Sequence, residues 1–224
     1  MKPALLLLLS IAAFNCFAQH QKVILKFSPL TLIDDFSFPT IQAGIEYKIS
    51  DKISWYNEAG IKYRQSYIDR TDSSFIKSGG FKLKTEIRYY FKRKDKPHCD
   101  GHYVAYNFFF TKDRHNTAIE YYAKQDSSNI MNDVFGVKKR IMGINILYGY
   151  QRIIAKRWMI DSYIGLGARL RDIITINKEF TPDLYELKRV VHFNIPFARR
   201  ELEAKEDKRD MMSITAGFRV CYKL

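Results

Sequence analysis

Between residues 41 and 49 every odd position (Ile41, Ala43, Ile45, Tyr47, Ile49) is apolar or aromatic, and every even one (Gln42, Gly44, Glu46, Lys48) is polar or glycine. A period of two puts successive side chains on opposite faces, so the segment predicts a β-strand with one apolar and one polar face. A helix, at 3.6 residues per turn, cannot produce it. The same alternation sets Phe81, Leu83, Thr85, Ile87, Tyr89 and Phe91 against Lys82, Lys84, Glu86, Arg88 and Tyr90. Eight such segments are read, at 22–28, 39–49, 52–64, 79–92, 102–112, 139–152, 157–172 and 211–224. Most exceed the five or six residues usual for soluble sheets, whereas a tilted strand needs about 9–11 to cross a bilayer.

The first eighteen residues read differently. Lys2 precedes an apolar run over 4–13, and Cys16-Phe17-Ala18 offers small residues where a signal peptidase reads, with Gln19 next. This predicts a signal peptide over 1–18, cleaved after Ala18, and a mature barrel over 19–224. A lipoprotein anchored at Cys16 is the competing reading, but Asn15 and Phe14 stand where lipid attachment wants a small residue. Cleavage removes one lysine and takes the formal charge from +13 to +12. It leaves Cys99 and Cys221, which an exported compartment permits to pair, though two cysteines make no disulfide framework. No later apolar run approaches the ~20 residues of a spanning helix, so a membrane role has to come from strands. With 46% apolar and 27% charged residues, the chain is too apolar to be disordered and too polar for a helical membrane bundle.

The connections are sorted. Gaps after the second, fourth and sixth strands are short (50–51, 93–101, 153–156), and those after the third, fifth and seventh are long (65–78, 113–138, 173–210). Short periplasmic turns alternating with long extracellular loops are the outer-membrane arrangement. In that orientation Tyr47, Trp55, Tyr89, Phe91, Tyr148, Tyr150, Trp158 and Tyr222 fall on the apolar face at the periplasmic strand ends, and Phe27, Tyr63, Phe81 and Phe110 at the opposite ends. Two aromatic girdles around an aliphatic band suit the two membrane–water interfaces. The polar face carries Lys26, Lys48, Lys62, Arg64, Lys82, Lys84, Arg88, Arg169, Arg171, Arg219 and Lys223 against Glu46, Glu58, Glu86 and Asp161. Curled inward, these charges predict a polar plug in which the four acids sit within ladders of Arg and Lys.

Few chemical sites emerge. His98-Cys99-Asp100-Gly101-His102 clusters ligand types on one turn, but no second cluster completes a four-ligand metal site, so none is assigned. His115 and His192 lie in loops without an activated nucleophile beside them, and no phosphate-binding or calcium loop occurs. No catalytic residue and no cofactor is assigned. A pI near 9.5 raises nucleic acid as a partner, but basic residues interleaved with apolar ones on every strand present no exposed stripe. The segment 173–210 is the one most suited to a specific partner; its apolar half around Phe180, Leu184 and Tyr185 extends strands or meets a partner, and 198–209 suits a short solvated helix.

The Phe17-Ala18-Gln19 junction, the opening strand running into Lys26-Phe27-Ser28-Pro29-Leu30, the Gly44-Ile45-Glu46-Tyr47 of strand two and the closing Gly217-Phe218-Arg219-Val220-Cys221-Tyr222 resemble small porin-like outer-membrane β-barrel proteins of Bacteroidetes-type bacteria. The spacing of Gly217, Val220 and Tyr222 resembles the C-terminal signal read by the barrel assembly machinery. The resemblance implies an eight-stranded antiparallel up-and-down transmembrane β-barrel in the outer membrane. Its expected partners are outer-membrane lipid, lipopolysaccharide and, during biogenesis, that machinery. It implies little about activity, since such barrels serve as anchors, adhesins and occasional enzymes. A non-enzymatic role through the loops is the reading adopted. A soluble periplasmic barrel of calycin type holding a small hydrophobic ligand is the rival, as is a lipid-modifying barrel enzyme. Alternation alone does not say which face is inside.

Overall fold

The computed structural model describes residues 23–33, 38–63, 78–91, 99–187 and 207–224. The leader, Arg64, most of the 65–78 loop, His98 and His192 lie outside the described residues. The strands are β1 (Val23–Phe27), β2 (Thr40–Lys48), β3 (Ile53–Lys62), β4 (Gly79–Tyr90), β5 (Gly101–Ala123), β6 (Asp126–Ile153), β7 (Trp158–Ile176), β8 (Tyr185–Leu187) and β9 (Asp207–Lys223), with a 3₁₀ turn at Pro29–Ile33. Each long strand pairs antiparallel with its neighbour, β9 returns to β1, and β4 pairs with β5, so eight strands close into a barrel with β8 as an extra. Closure leaves no sheet edge around the barrel wall.

Two expectations are corrected. Residues 113–138 were expected to be a long loop; they continue β5 and β6 as a paired hairpin that turns only at Lys124 and Gln125. The expected loop 173–210 is shorter, because β7 runs to Ile176 and β9 begins at Asp207. Positions 207–209, the last of the suggested helix, are strand; 198–206 lie outside the described residues.

The hairpin carries a reversal of polarity along continuous strands. On β5 the outward side chains run Val104, Tyr106, Phe108, Phe110 and then Lys112 and Arg114, while the inward ones run Asn107, Thr111, Asp113, His115 and then Ile119 and Tyr121. β6 does the same, changing outward from Tyr148, Ile146, Ile144 and Met142 to Arg140 and Lys138. Above this level the inward residues Ile119, Tyr121, Phe135, Val137 and Ile173 form an apolar core with Phe180, backed by Tyr185 and Leu187. Tyr121 stacks edge-on against Phe180 and Tyr185, at 5.4 and 4.9 Å. Asp133 Oδ2 accepts from the backbone N–H of Glu179 and Phe180 at 2.8 and 2.9 Å, fastening the segment after β7 to β6.

At the opposite, short-turn end, Ile24, Tyr90, Cys99, Tyr103, Ala105, Leu147, Met159 and Cys221 form a second apolar cluster inside the barrel. Both cysteines are buried there as free thiols. Tyr103 needs the glycine opposite it: a Cβ on Gly149 would stand 2.2 Å from its Cζ. The ring cannot retreat cheaply, because it is fully buried and its hydroxyl donates to Asp161 Oδ1 at 2.6 Å. Gly149→Val is therefore expected to destabilise the barrel by roughly 1–3 kcal/mol through overpacking. A urea midpoint equal to that of the wild type, followed by gel mobility of unboiled samples, would contradict this packing.

Candidate functional site

Between the two apolar clusters the barrel interior is filled by charge. Four cations (Lys26, Lys84, Arg88, Arg219) meet four anions (Glu46, Glu58, Glu86, Asp161), contributed by β1, β2, β3, β4, β7 and β9. Arg88 Nη1 donates to Asp161 Oδ2 at 2.9 Å, its Nε donates to Glu86 Oε2 at 2.9 Å, and Nη1 approaches Glu46 Oε2 at 3.3 Å. Arg219 Nη2 donates to Glu86 Oε1 at 2.6 Å and its Nε to Glu58 Oε2 at 3.2 Å. Lys26 Nζ lies 2.6 Å from Glu46 and 2.8 Å from Asp161, and Lys84 Nζ 2.7 Å from Glu58. Arg88, Arg219, Glu46, Glu86 and Asp161 are all 0% exposed.

Tyrosines complete the network. Tyr56, Tyr90 and Tyr103 donate to Glu58, Glu46 and Asp161 at 2.5, 2.7 and 2.6 Å. The Arg88 and Arg219 guanidiniums lie over the Tyr56 ring, at 4.6 and 4.5 Å from its centroid. Buried ions need this density of partners, since each unpaired one costs several kcal/mol. Of these only Tyr90 is read on the polar face in the sequence; Tyr56, at an even position of β3, and Tyr103, at an odd position of β5, share the polar phase of their own strands, which was the available signal.

The basic residues read on the inner face are spread unevenly along the barrel axis. The central layer is neutral, four against four, and the surplus stands at the ends. Lys48 pairs with Asp51 at the short-turn rim. Toward the hairpin, Lys62 and Lys82 lie over the Phe38 ring, Lys82 donates to the Phe38 carbonyl at 3.0 Å, and Arg169 and Arg171 follow one another on the inner face of β7. Asp113, also unread in the sequence, sits 2.8 Å from Lys62 Nζ, with His115 Nδ1 at 3.0 Å.

Asp113 lies beyond the apolar outer band, which ends on β5 at Phe110. Burial alone would raise its carboxyl, but the hydrogen bond and charge of His115 and the charge of Lys62 outweigh that and hold it at about 2. A depressed carboxylate contributes stability that is present above its unfolded value, near 4, and lost as pH falls toward 2. Between pH 5 and 2 the wild type is expected to lose about 2 kcal/mol more stability than Asp113→Asn. Parallel acid unfolding curves for the two proteins would contradict it.

On the outer surface, Tyr47, Trp55, Tyr89, Tyr148, Tyr150, Trp158 and Tyr222 point outward near the short turns, and Tyr63, Phe81 and Phe110 near the other end. Trp158 and Tyr222 meet edge-on at 5.1 Å, and Trp55 Nε1 donates to Thr85 Oγ1 at 2.8 Å. Of the closing residues, Val220 and Tyr222 face outward, while Gly217 faces inward against the Tyr163 ring. A shallow hollow of about 1190 Å³ lies on this outer face over Ala43, Asn57, Ala59 and Thr85. Among the described residues no group of three or more His, Cys, Asp and Glu is placed to hold a metal ion.

The class this architecture defines is the closed eight-stranded antiparallel barrel with a charged, filled interior and an apolar outer wall. Residues 5–179 match the family described as "Protein of unknown function (DUF3575)", and the chain belongs to that family. Comparison with curated proteins finds no match. Comparison with solved structures finds none either.

Proposed function

We propose that this chain is a non-enzymatic integral outer-membrane barrel whose hairpin and the segments beside it, on the cell's outside, carry its binding role. The observation that carries the reading is the reversal of polarity on unbroken strands. An outer face that is apolar from Tyr150 to Met142 and cationic at Arg140 and Lys138 meets two different solvents. Nine residues make roughly 27 Å of strand, and with a tilt of about 40° an apolar band somewhat over 20 Å tall, near that of outer-membrane barrels.

Exposed Ile146 and Leu166, register partners 57% and 58% accessible in the middle of the band, stand where a soluble protein would place polar residues. The soluble calycin-like alternative calls for an apolar lumen able to take a hydrophobic ligand; here the lumen is occupied by Arg88, Arg219 and their carboxylates. Such a filled interior suits an anchor rather than a pore. Retention in planar bilayers without conductance steps is the expected result for the purified protein; regular single-channel openings would overturn the plugged-barrel reading.

A further inference from the structure

The β5–β6 ladder places two like-charged pairs directly opposite one another on the outer surface: Lys112 faces Arg140, and Arg114 faces Lys138. Directly opposed side chains on one sheet face have Cβ atoms about 4.5–5.5 Å apart, and like charges so placed repel. One carboxylate offsets them, Asp172 on β7, 3.3 Å from Arg140. Lys112, Arg114 and Lys138 have no carboxylate within ion-pair distance among the described residues. The remaining register neighbours, Phe81 and Gly79 on β4 and Ile174 on β7, bring no negative charge.

The position of this cluster is as telling as its charge. The next outward pairs along the ladder are Phe110 with Met142 and Phe108 with Ile144, so the cations sit immediately above an apolar strip. Phe81 and Phe110, rings 5.8 Å apart, mark the boundary. A free anion would use the charges and leave the strip idle. A lipid with a multiply phosphorylated headgroup matches both.

We propose that Lys112, Arg114, Lys138 and Arg140 dock the phosphates of an anionic outer-leaflet lipid whose acyl chains lie along Phe108, Phe110, Met142 and Ile144. The inference rests on the membrane reading above. Cationic side chains at such a boundary attract anionic headgroups with roughly fivefold in affinity per charge, and phosphate is bound by Arg and Lys in charge-assisted hydrogen bonds.

The test uses the full mature protein, folded in phosphatidylcholine vesicles and then taken into mixed micelles for native mass spectrometry with diphosphorylated lipid A or its dephosphorylated form. The diphosphorylated lipid is expected to be retained on the order of tenfold or more over the other. The Lys112→Gln, Arg114→Gln, Lys138→Gln triple variant should lose that preference, while Arg152→Gln, Lys156→Gln at the opposite rim keeps it. Without lipid A the triple variant should be at least as stable as the wild type, because repulsion is removed. Equal retention of the two lipids, an unchanged preference in the triple variant, or displacement by equimolar inorganic pyrophosphate would each overturn the assignment. Carbonate resistance and heat-shifted mobility are read on the same vesicles. A protein that stays embedded but ignores the phosphates contradicts the lipid site alone, whereas one that washes out contradicts the membrane reading beneath it.

Discussion

Arg88→Met is expected to lower the stability of the folded barrel by about 3–5 kcal/mol, the range for removing one partner of a buried ion pair. Arg88 touches Glu46, Glu86 and Asp161 at once, with no exposed surface of its own. Its loss leaves four carboxylates facing three cations, and Glu46, Glu86 and Asp161 have no exposed surface. Methionine keeps most of the volume, so the measured loss reports charge rather than a cavity. The paired change Arg88→Met with Glu86→Gln restores neutrality, and it is expected to recover a substantial part of the loss even though Arg219 gives up an ionic partner. Urea unfolding in detergent or lipid measures both. A single variant within about 1 kcal/mol of the wild type would mean that the central layer is not what holds the interior closed.

The second large effect concerns the outer wall. Ile146→Arg or Leu166→Arg is expected to cost about 2–4 kcal/mol in a bilayer, the penalty for arginine on the lipid face near the midplane of a barrel. The same change at Ile130 or Leu184, exposed apolar residues beyond the band, is expected to stay within about 0.5 kcal/mol. The contrast isolates the solvent around the wall, because all four side chains are similarly accessible and none contributes to the interior network. Small effects at every one of the four positions would say that water surrounds the whole barrel.

These two experiments address different halves of a pattern that was only partly legible in the chain. β2, β3 and β4 were readable to within two residues, because there the outer face is mainly apolar and the inner mainly polar. The closure of eight strands followed from the same alternation. Beyond Phe110 and Met142 the period of two persists but its phase reverses, so Ile119, Tyr121, Phe135 and Val137 point inward among polar neighbours. A search keyed to apolar-outward alternation takes that for a loop. β8 was beyond reach for another reason: three residues have no period, and Tyr185–Leu187 is strand because β5 offers it an edge at Tyr121, Tyr122 and Ala123.

The interior shows the same limit. That Glu46, Glu58, Glu86 and Asp161 share a face with basic residues was visible in one dimension. Which cations they would meet was not, because Lys26 and Asp161 are 135 residues apart and meet past the intervening β9. Register and closure create that contact, and neither is written in any local window. The neutral centre with basic ends was hidden for this reason, although every one of its residues could be named.

The most direct test of the central claim is fractionation of cells expressing the protein, with membranes washed in carbonate and the retained material run on a gel with and without boiling. The account predicts retention in the outer-membrane fraction and a folded band that shifts on boiling, as expected of a closed barrel held in lipid. Release into the soluble periplasmic fraction would contradict it and leave the apolar outer wall in need of a different partner.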